Sequence, residues 1–142
     1  MLTEFAGLTL APAALVSRLQ AEVPGLLAVY AFGSRAGRHA QPATESDLDL
    51  AVLVAGYAEP VALWALAGKL SELAGCPVDL LDLRAASTVM QYQIITTGQR
   101  LWAVGVQAEL FEAAILSEKT ELDTARAGLM ADISKRGTVY DR

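Results

Sequence analysis

The 142-residue sequence is poor in several residue types, and each shortage excludes a class of protein. Its one cysteine rules out an internal disulfide framework and is typical of a protein kept in a reducing cytoplasm. Its 11 lysines and arginines against 16 acids give a net charge of −5, which is too acidic for a surface that neutralises a row of nucleic-acid phosphates. No apolar run approaches the roughly 20 residues of a membrane span. We therefore expect a cytoplasmic protein with no membrane insertion and no stable nucleic-acid binding.

Charged residues are also few, at 19%, whereas hydrophobic residues make up 54%, a composition that argues against disorder. A chain of about 150 residues buries enough surface for one real core. No repeat and no low-complexity linker divides it. The sequence therefore predicts a single domain over residues 1–142 that ends in a helical segment at about 106–135.

Apolar spacing predicts alternating helices and strands. The predicted helices cover 10–23, 59–74, 86–97 and 106–135, and the predicted strands cover 26–32, 47–54, 77–83 and 100–104. The loop 33–46 is too short for a helical crossover, so the two strands that flank it are expected to be antiparallel neighbours. The predicted fold class is α/β (α+β), with a small mixed β-sheet and helices packed on it.

Two further expectations concern packing. Trp64 and Trp102 are expected in the core or at a contact surface. The last predicted helix carries an apolar stripe expected to face the core, made of Leu110, Ala114, Leu122, Ala125, Leu129 and Ile133. The alternative for this stripe is a docking surface for a partner or for a second copy of the chain, so the oligomeric state stays open.

Two acids at the start of the second predicted strand are the first candidates for chemistry. Strand side chains alternate, so Asp47 and Asp49 point to one face about 6.6 Å apart, while Leu48 and Leu50 point to the other. Two carboxylates this close repel each other unless a positive charge lies between them. Carboxylate oxygens are the ligands that Mg²⁺ selects.

A third acid, Asp79, lies near the start of the next strand. If that strand lies beside the second, Asp79 completes a three-carboxylate cluster, and such clusters hold two metal ions in enzymes of phosphoryl transfer. Asp82 is three residues further on, has the opposite parity and is expected to point away. Taken alone, strand acids are often solvated or structurally paired, so the catalytic interpretation depends on all three acting together.

The segment that follows the first strand suits phosphate. Gly33 permits close backbone approach, and Ser34 could cap a short helix whose exposed amides face an anion. Arg35 would add charge-assisted bonds to the same phosphates, and Ser46 offers a further hydroxyl beside Asp47. A lone Gly-Ser pair is usually a turn, so this assignment also rests on the acids that follow.

In combination, Gly33-Ser34, a spacer and Asp47-Leu48-Asp49-Leu50 resemble the signature of the polymerase-beta-like nucleotidyltransferases. The resemblance implies that Asp47, Asp49 and Asp79 are catalytic residues that hold two Mg²⁺ ions. It also implies that Gly33, Ser34, Arg35 and Ser46 bind a nucleoside triphosphate such as ATP. The spacer is longer here than is common in that family, which predicts a loop insertion and leaves the roles of Arg35, Arg38 and His39 open.

The short chain, together with the segment TTGQRLWAVG at 96–105, is similar to the minimal nucleotidyltransferases that form the antitoxin half of HEPN toxin–antitoxin pairs. That resemblance implies transfer of AMP from ATP to a tyrosine of a cognate HEPN-type toxin. Two alternatives stay open. One is nucleotidyl transfer to a small hydroxyl compound such as an aminoglycoside, and the other is an antitoxin that neutralises its partner by binding alone.

Overall fold

The computed structural model describes residues 12–33 and 47–136. Its helices are α1 (Pro12–Glu22), α2 (Pro60–Ala74), α3 (Thr88–Thr97) and α4 (Gln107–Arg136), and its strands are β1 (Leu26–Phe32), β2 (Leu48–Val54), β3 (Val78–Asp82) and β4 (Gln99–Ala103). A short 3₁₀ turn, Leu83–Ala85, follows β3. The order of elements and the mixed sheet confirm the predicted fold class.

The four strands form one sheet in the order β3-β2-β1-β4. β1 is antiparallel to both β2 and β4, which confirms the predicted pairing of the first two strands. β2 and β3 are parallel, and α2 is the crossover that joins them. This crossover is what brings the start of β3 beside the start of β2.

Both faces of the sheet are covered, and β2 supplies core residues to each. On one face Leu50 and Val52 pack with Leu19 of α1 and Leu70 of α2. On the other face Leu53 packs with residues of α3 and α4. Alternation along the strand predicts that Leu48, Leu50, Val52 and Val54 are buried together, and this is confirmed. The prediction missed that the opposite face of the same strand is buried as well, because a central strand between two helical layers shows no polar alternation.

Helix α2 is held at both ends by local contacts. The Glu59 carboxylate accepts hydrogen bonds from the amides of Val61 and Ala62 at its start, and Gly75 ends it in a left-handed conformation with φ of 74°. The buried stripe is Leu63, Leu66, Leu70 and Ala74. The spacing of the apolar residues also predicts Leu73 on this stripe, but that residue is 49% exposed.

Other element ends differ from the predictions by one or two residues for local reasons. The predicted third strand stops early because the Asp82 side chain accepts a hydrogen bond from the Arg84 amide and turns the chain into the 3₁₀ turn. Helix α3 begins after Ser87, whose hydroxyl accepts from the Met90 amide. The first two residues of the predicted helix 10–23 lie outside the described part of the chain.

The core-facing stripe predicted for the last helix is wrong. Ala108 and Ile115 of α4 are buried, whereas Leu110, Leu122 and Leu129 are each more than half exposed. A 30-residue helix is about 45 Å long, roughly twice the length of these strands, so its second half extends past the sheet. Gly128 does not interrupt it.

A polar network fixes the first half of α4 to the sheet. The hydroxyl of Tyr30 in β1 donates a hydrogen bond of 2.7 Å to Glu112 Oε2, and Arg100 of β4 donates one of 3.0 Å to the same oxygen. Burial and the neighbouring carboxylate raise the pKa of the Tyr30 phenol far above its ordinary value. Tyr30 is therefore a neutral donor that ties the sheet to α4. None of the helices in the described ranges is long and apolar enough to cross a membrane.

Candidate active site

Asp49 and Asp79 lie side by side at one end of the parallel pair. The register pairs Leu48 with Val78, Asp49 with Asp79 and Leu50 with Leu80. Because residues opposite each other in a parallel pair point to the same face, the two carboxyls come together. Asp47 immediately precedes β2 and is exposed. The crossover through α2 therefore produces the proximity that the two strand sequences predicted.

The pKa of Asp49 is raised above its ordinary value of 3.8. Burial is the main cause, and the negative charges of Asp79 and then Asp47 add to it. A side-chain hydrogen bond with Asp79 raises the pKa slightly further. The site therefore carries an excess of negative charge, and a cation would relieve it.

The described side chains include the carboxylates that a hard divalent cation prefers, but they do not by themselves form a complete metal site. In residues 12–33 and 47–136, no three acidic, histidine or cysteine side chains are close enough together to hold a metal ion as they stand. Asp49 and Asp79 form the close pair, while exposed Asp47 is the outlying member. An all-carboxylate donor set with two exposed members, Asp47 and Asp79, fits Mg²⁺, which keeps several of its waters when it binds protein.

Gly33 lies directly against this carboxylate pair. Its φ is +82°, a left-handed conformation that favours glycine. A Cβ atom built at this position would collide with Asp49 Oδ2. The end of β1 thus lies directly against Asp49, and any other residue at this position would be strained and would displace the Asp49 carboxyl. This contact between Gly33 and Asp49 is a reason for the glycine that the sequence pattern could not supply.

The structure does not describe the rest of the predicted nucleotide-binding segment. Ser34, Arg35 and Ser46 lie outside the described residues, as do Arg38 and His39. Their assignments as nucleotide-binding or open positions therefore stay predictions.

Asp82 lies on the opposite side of the sheet from the acid pair. Its Oδ2 accepts a 2.8 Å hydrogen bond from the Ala58 amide and its Oδ1 a 3.1 Å bond from the Arg84 amide. The expectation that Asp82 points away is confirmed. It caps a turn, whereas Asp79 has its carboxyl beside Asp49.

Two features next to the site were missed by sequence reasoning. From the sequence, Gly98 is predicted only to end a helix. In the structure, a Cβ there would meet the carbonyl oxygen of Ala31 at 2.6 Å, so this glycine allows α3 to end against β1. The second feature is a cavity of about 630 Å³ beside Asp79, bordered by Tyr57 and Trp64. Trp64 is 80% exposed, which excludes the core and leaves the expected alternative, a contact surface. Trp102 is half-buried against the core.

The fold and the acid pair together define a nucleotidyltransferase domain, and comparison with known families agrees. The family described as "Polymerase beta, Nucleotidyltransferase" matches residues 15–104, which include Gly33, Asp47, Asp49 and Asp79. The chain belongs to this family. The predicted fold and the family resemblance are thereby confirmed.

Individual relatives narrow the kind of nucleotidyltransferase. The chain is 36% identical over 121 residues to the protein adenylyltransferase MntA of Shewanella oneidensis, covering 84% of each sequence. It matches a chain in a crystal structure of a toxin–antitoxin pair with AMP-PNP, at 35% identity and a TM-score of 0.75, covering 88% of this chain and 99% of that one. It also matches a structure of the tri-AMPylated S. oneidensis HEPN toxin with its MNT antitoxin, at 33% identity and a TM-score of 0.68, covering 87% of this chain and 95% of that one.

Proposed function

We propose that this chain is a Mg²⁺-dependent adenylyltransferase that moves AMP from ATP to a tyrosine hydroxyl of a HEPN-type toxin and thereby acts as its antitoxin. The observation that carries the proposal is the carboxyl pair Asp49–Asp79, set in parallel register against Gly33. The relatives support the particular reaction, because one is named a protein adenylyltransferase, one is seen with an ATP analogue and one with an AMPylated toxin.

Three acids would hold the metal. Asp47 and Asp49, with two residues' spacing at the start of β2, would contact both ions, and Asp79 would contact one. Bound Mg²⁺ offsets the charge of the triphosphate and lowers the pKa of a coordinated hydroxyl. The raised pKa of Asp49 supports this assignment, because a site that resists a second negative charge gains most from a cation.

The remaining groups of the chain position the two substrates. The glycine backbone at the end of β1 lets phosphate oxygens approach Asp49, with Ser34, Arg35 and Ser46 as the proposed phosphate contacts. The tyrosine oxygen forms a bond to the α-phosphorus of ATP, the bond to the bridging oxygen breaks, and pyrophosphate leaves. Asp79, which is exposed, would take the phenol proton. A phenol of pKa near 10 needs such an acceptor at neutral pH.

The test is transfer of label from α-labelled ATP, with Mg²⁺, to the protein encoded beside this gene. The wild-type chain is expected to label one or more tyrosines of that protein. Asp47→Asn and Asp79→Asn should reduce the rate at least 100-fold, and Asp82→Asn should not. No label with any variant, together with full neutralisation by Asp47→Asn in the absence of ATP, would show an antitoxin that works by binding. Label on added aminoglycoside alone would identify a small-molecule enzyme.

A further inference from the structure

The cavity beside Asp79, here called the edge groove, runs along the outer side of β3. β3 is the terminal strand of the described sheet, so the backbone groups on its outer side pair with no other strand there. The groove is lined by Asp79, Leu80 and Leu81 of this strand and by Leu63, Trp64 and Ala67 of α2, with Tyr57 at its border. Asp79 belongs both to the carboxyl pair and to the groove lining, so the groove borders the proposed reaction centre.

The edge groove carries negative charge, which does not suit a nucleotide. The described residues that line it include two acids, Asp79 and Asp82, but no lysine, arginine or histidine. A triphosphate placed there would face carboxylates without a compensating cation from the protein. A neutral ring or a positively charged segment suits it. The charge therefore separates this groove from the nucleotide side of the site, which lies across Asp49 at Gly33.

The groove also displays an unusual amount of large apolar surface. Trp64 is 80% exposed, Tyr57 is 72% exposed and Val61, on the same turn of α2 as Trp64, is 68% exposed. Exposed aromatic clusters of this kind mark contact surfaces, and tryptophan and tyrosine dominate binding energy in protein interfaces. Their rings stack on a phenol and attract arginine or lysine through cation–π contacts.

The order of groups across the sheet indicates the side from which each substrate would approach the acids. Gly33 follows β1, Asp49 lies on β2, Asp79 lies on β3, and the edge groove lies beyond β3. The nucleotide and the acceptor would thus approach the acids from opposite sides, as an in-line displacement requires.

We propose that the edge groove is the docking site for the protein acceptor: it binds an extended, positively charged segment that carries the tyrosine and places its phenol beside Asp79. This inference rests on the proposed function. The apolar side chains Trp64 and Tyr57 hold the ring-bearing segment, the acids attract its positive flanks, and the outer edge of β3 offers backbone hydrogen bonds to an extended chain.

The first test is kinetic and uses the protein encoded by the neighbouring gene as acceptor. Trp64→Ala is expected to raise KM for that acceptor at least tenfold, with kcat and KM for ATP changed less than twofold. Trp64 is 80% exposed, so the fold should tolerate its loss. Val106→Ala is the matched control, because it truncates a side chain that is 59% exposed just after β4, the strand at the opposite edge of the sheet. Higher KM for ATP in Trp64→Ala would overturn the proposal.

The second test uses charge at one position. Ala67 lines the groove and is half-buried. Ala67→Lys should weaken acceptor binding at least tenfold, while Ala67→Glu, of similar length, should bind as well as wild type or better. Calorimetric titration of chain and acceptor without ATP measures this docking directly. This titration separates the docking proposal from the proposed function, because a chain that binds through the groove but transfers no AMP refutes only the proposed function. Equal binding by both Ala67 variants would refute the groove.

Discussion

Asp49 and Asp79 face each other across two parallel strands, and the negative charge of Asp79 makes Asp49 harder to ionise. Burial and the two neighbouring carboxylates raise the pKa of Asp49. Folded proteins place like charges together at a cost in stability, and they do so mainly where function needs it. In this chain the pair marks the point where three parts of the sequence, the end of β1 and the starts of β2 and β3, come together.

The first prediction concerns stability against pH. Since the pKa of Asp49 is raised in the folded state, the folded chain binds more protons than the unfolded chain just above pH 3.8. The free energy of unfolding contributed by this group is therefore greatest below that pH and falls as pH rises through the folded pKa. Without metal, Asp49→Asn should be as stable as wild type at pH 7 or more stable, measured by urea unfolding. A marked loss of stability in Asp49→Asn would show a favourable partner for the carboxylate.

The second prediction adds metal to the same pair of proteins. Mg²⁺ or Mn²⁺ at 100 times its Kd should stabilise wild type by about 2.7 kcal/mol, because a ligand that binds only the folded state shifts the unfolding equilibrium. For a chain of this size that raises Tm by roughly 3 °C per kcal/mol. Asp49→Asn should show little of this rise in a thermal melt. An equal rise in both proteins would place the cation elsewhere.

The third prediction concerns Gly33. Gly33→Ala puts a methyl group where Asp49 Oδ2 lies and forces an alanine into φ of +82°. The strain is expected to cost about 1–2 kcal/mol of stability and to displace the carboxyl, so AMP transfer should fall at least tenfold. Gly56→Ala is the control, because its φ of +92° is equally strained but no atom lies within 4 Å of its added Cβ. If both variants lose only stability and keep full transfer, the contact with Asp49 has no functional role.

The fourth prediction separates the two aspartates of β3. Asp82→Ala leaves the amides of Ala58 and Arg84 without their acceptor and should lower the free energy of unfolding by about 1–3 kcal/mol. At saturating acceptor, its transfer rate per folded molecule should stay near that of wild type. Asp79→Ala should behave in the opposite way, with stability kept and transfer lost. Denaturant melts and rate assays on the same preparations measure both effects.

The fifth prediction tests the link between sheet and last helix. Tyr30→Phe removes the 2.7 Å hydrogen bond to Glu112 but keeps the ring in the core. Glu112 retains its ion pair with Arg100, so the loss should be about 0.5–1.5 kcal/mol of stability, with transfer unchanged. A loss of transfer at full stability would instead make Tyr30 part of the reaction.

Much of this fold follows from local patterns. β1 was predicted over the residues it occupies, because a run of strand formers ends at glycine on a polar loop. The register of Asp49 with Asp79 was expected in outline, since parity places both acids on one face once the strands are neighbours. Side-chain alternation does not predict that α2 brings Asp49 and Asp79 directly opposite each other along the two strands.

The errors have a common cause, which is that sequence periodicity does not reveal where a partner element stops. The stripe through Leu122 and Leu129 looks like a core face, but the sheet ends before those residues. Trp64 is a large apolar residue, yet it lies on the outer side of α2 beside the edge of the sheet. In both cases the exposure of an apolar side chain depends on strand length and sheet edges. Tertiary structure sets these, and local sequence patterns do not reveal them.

Anomalous diffraction from crystals of this chain grown with Mn²⁺ and AMP-PNP tests the account most directly. We predict manganese peaks ligated by Asp47, Asp49 and Asp79, with the phosphates of the nucleotide on the Gly33 side of Asp49. Manganese bound to other residues, or an Asp79 carboxylate turned away from the ions toward solvent, would contradict the assignment of the site.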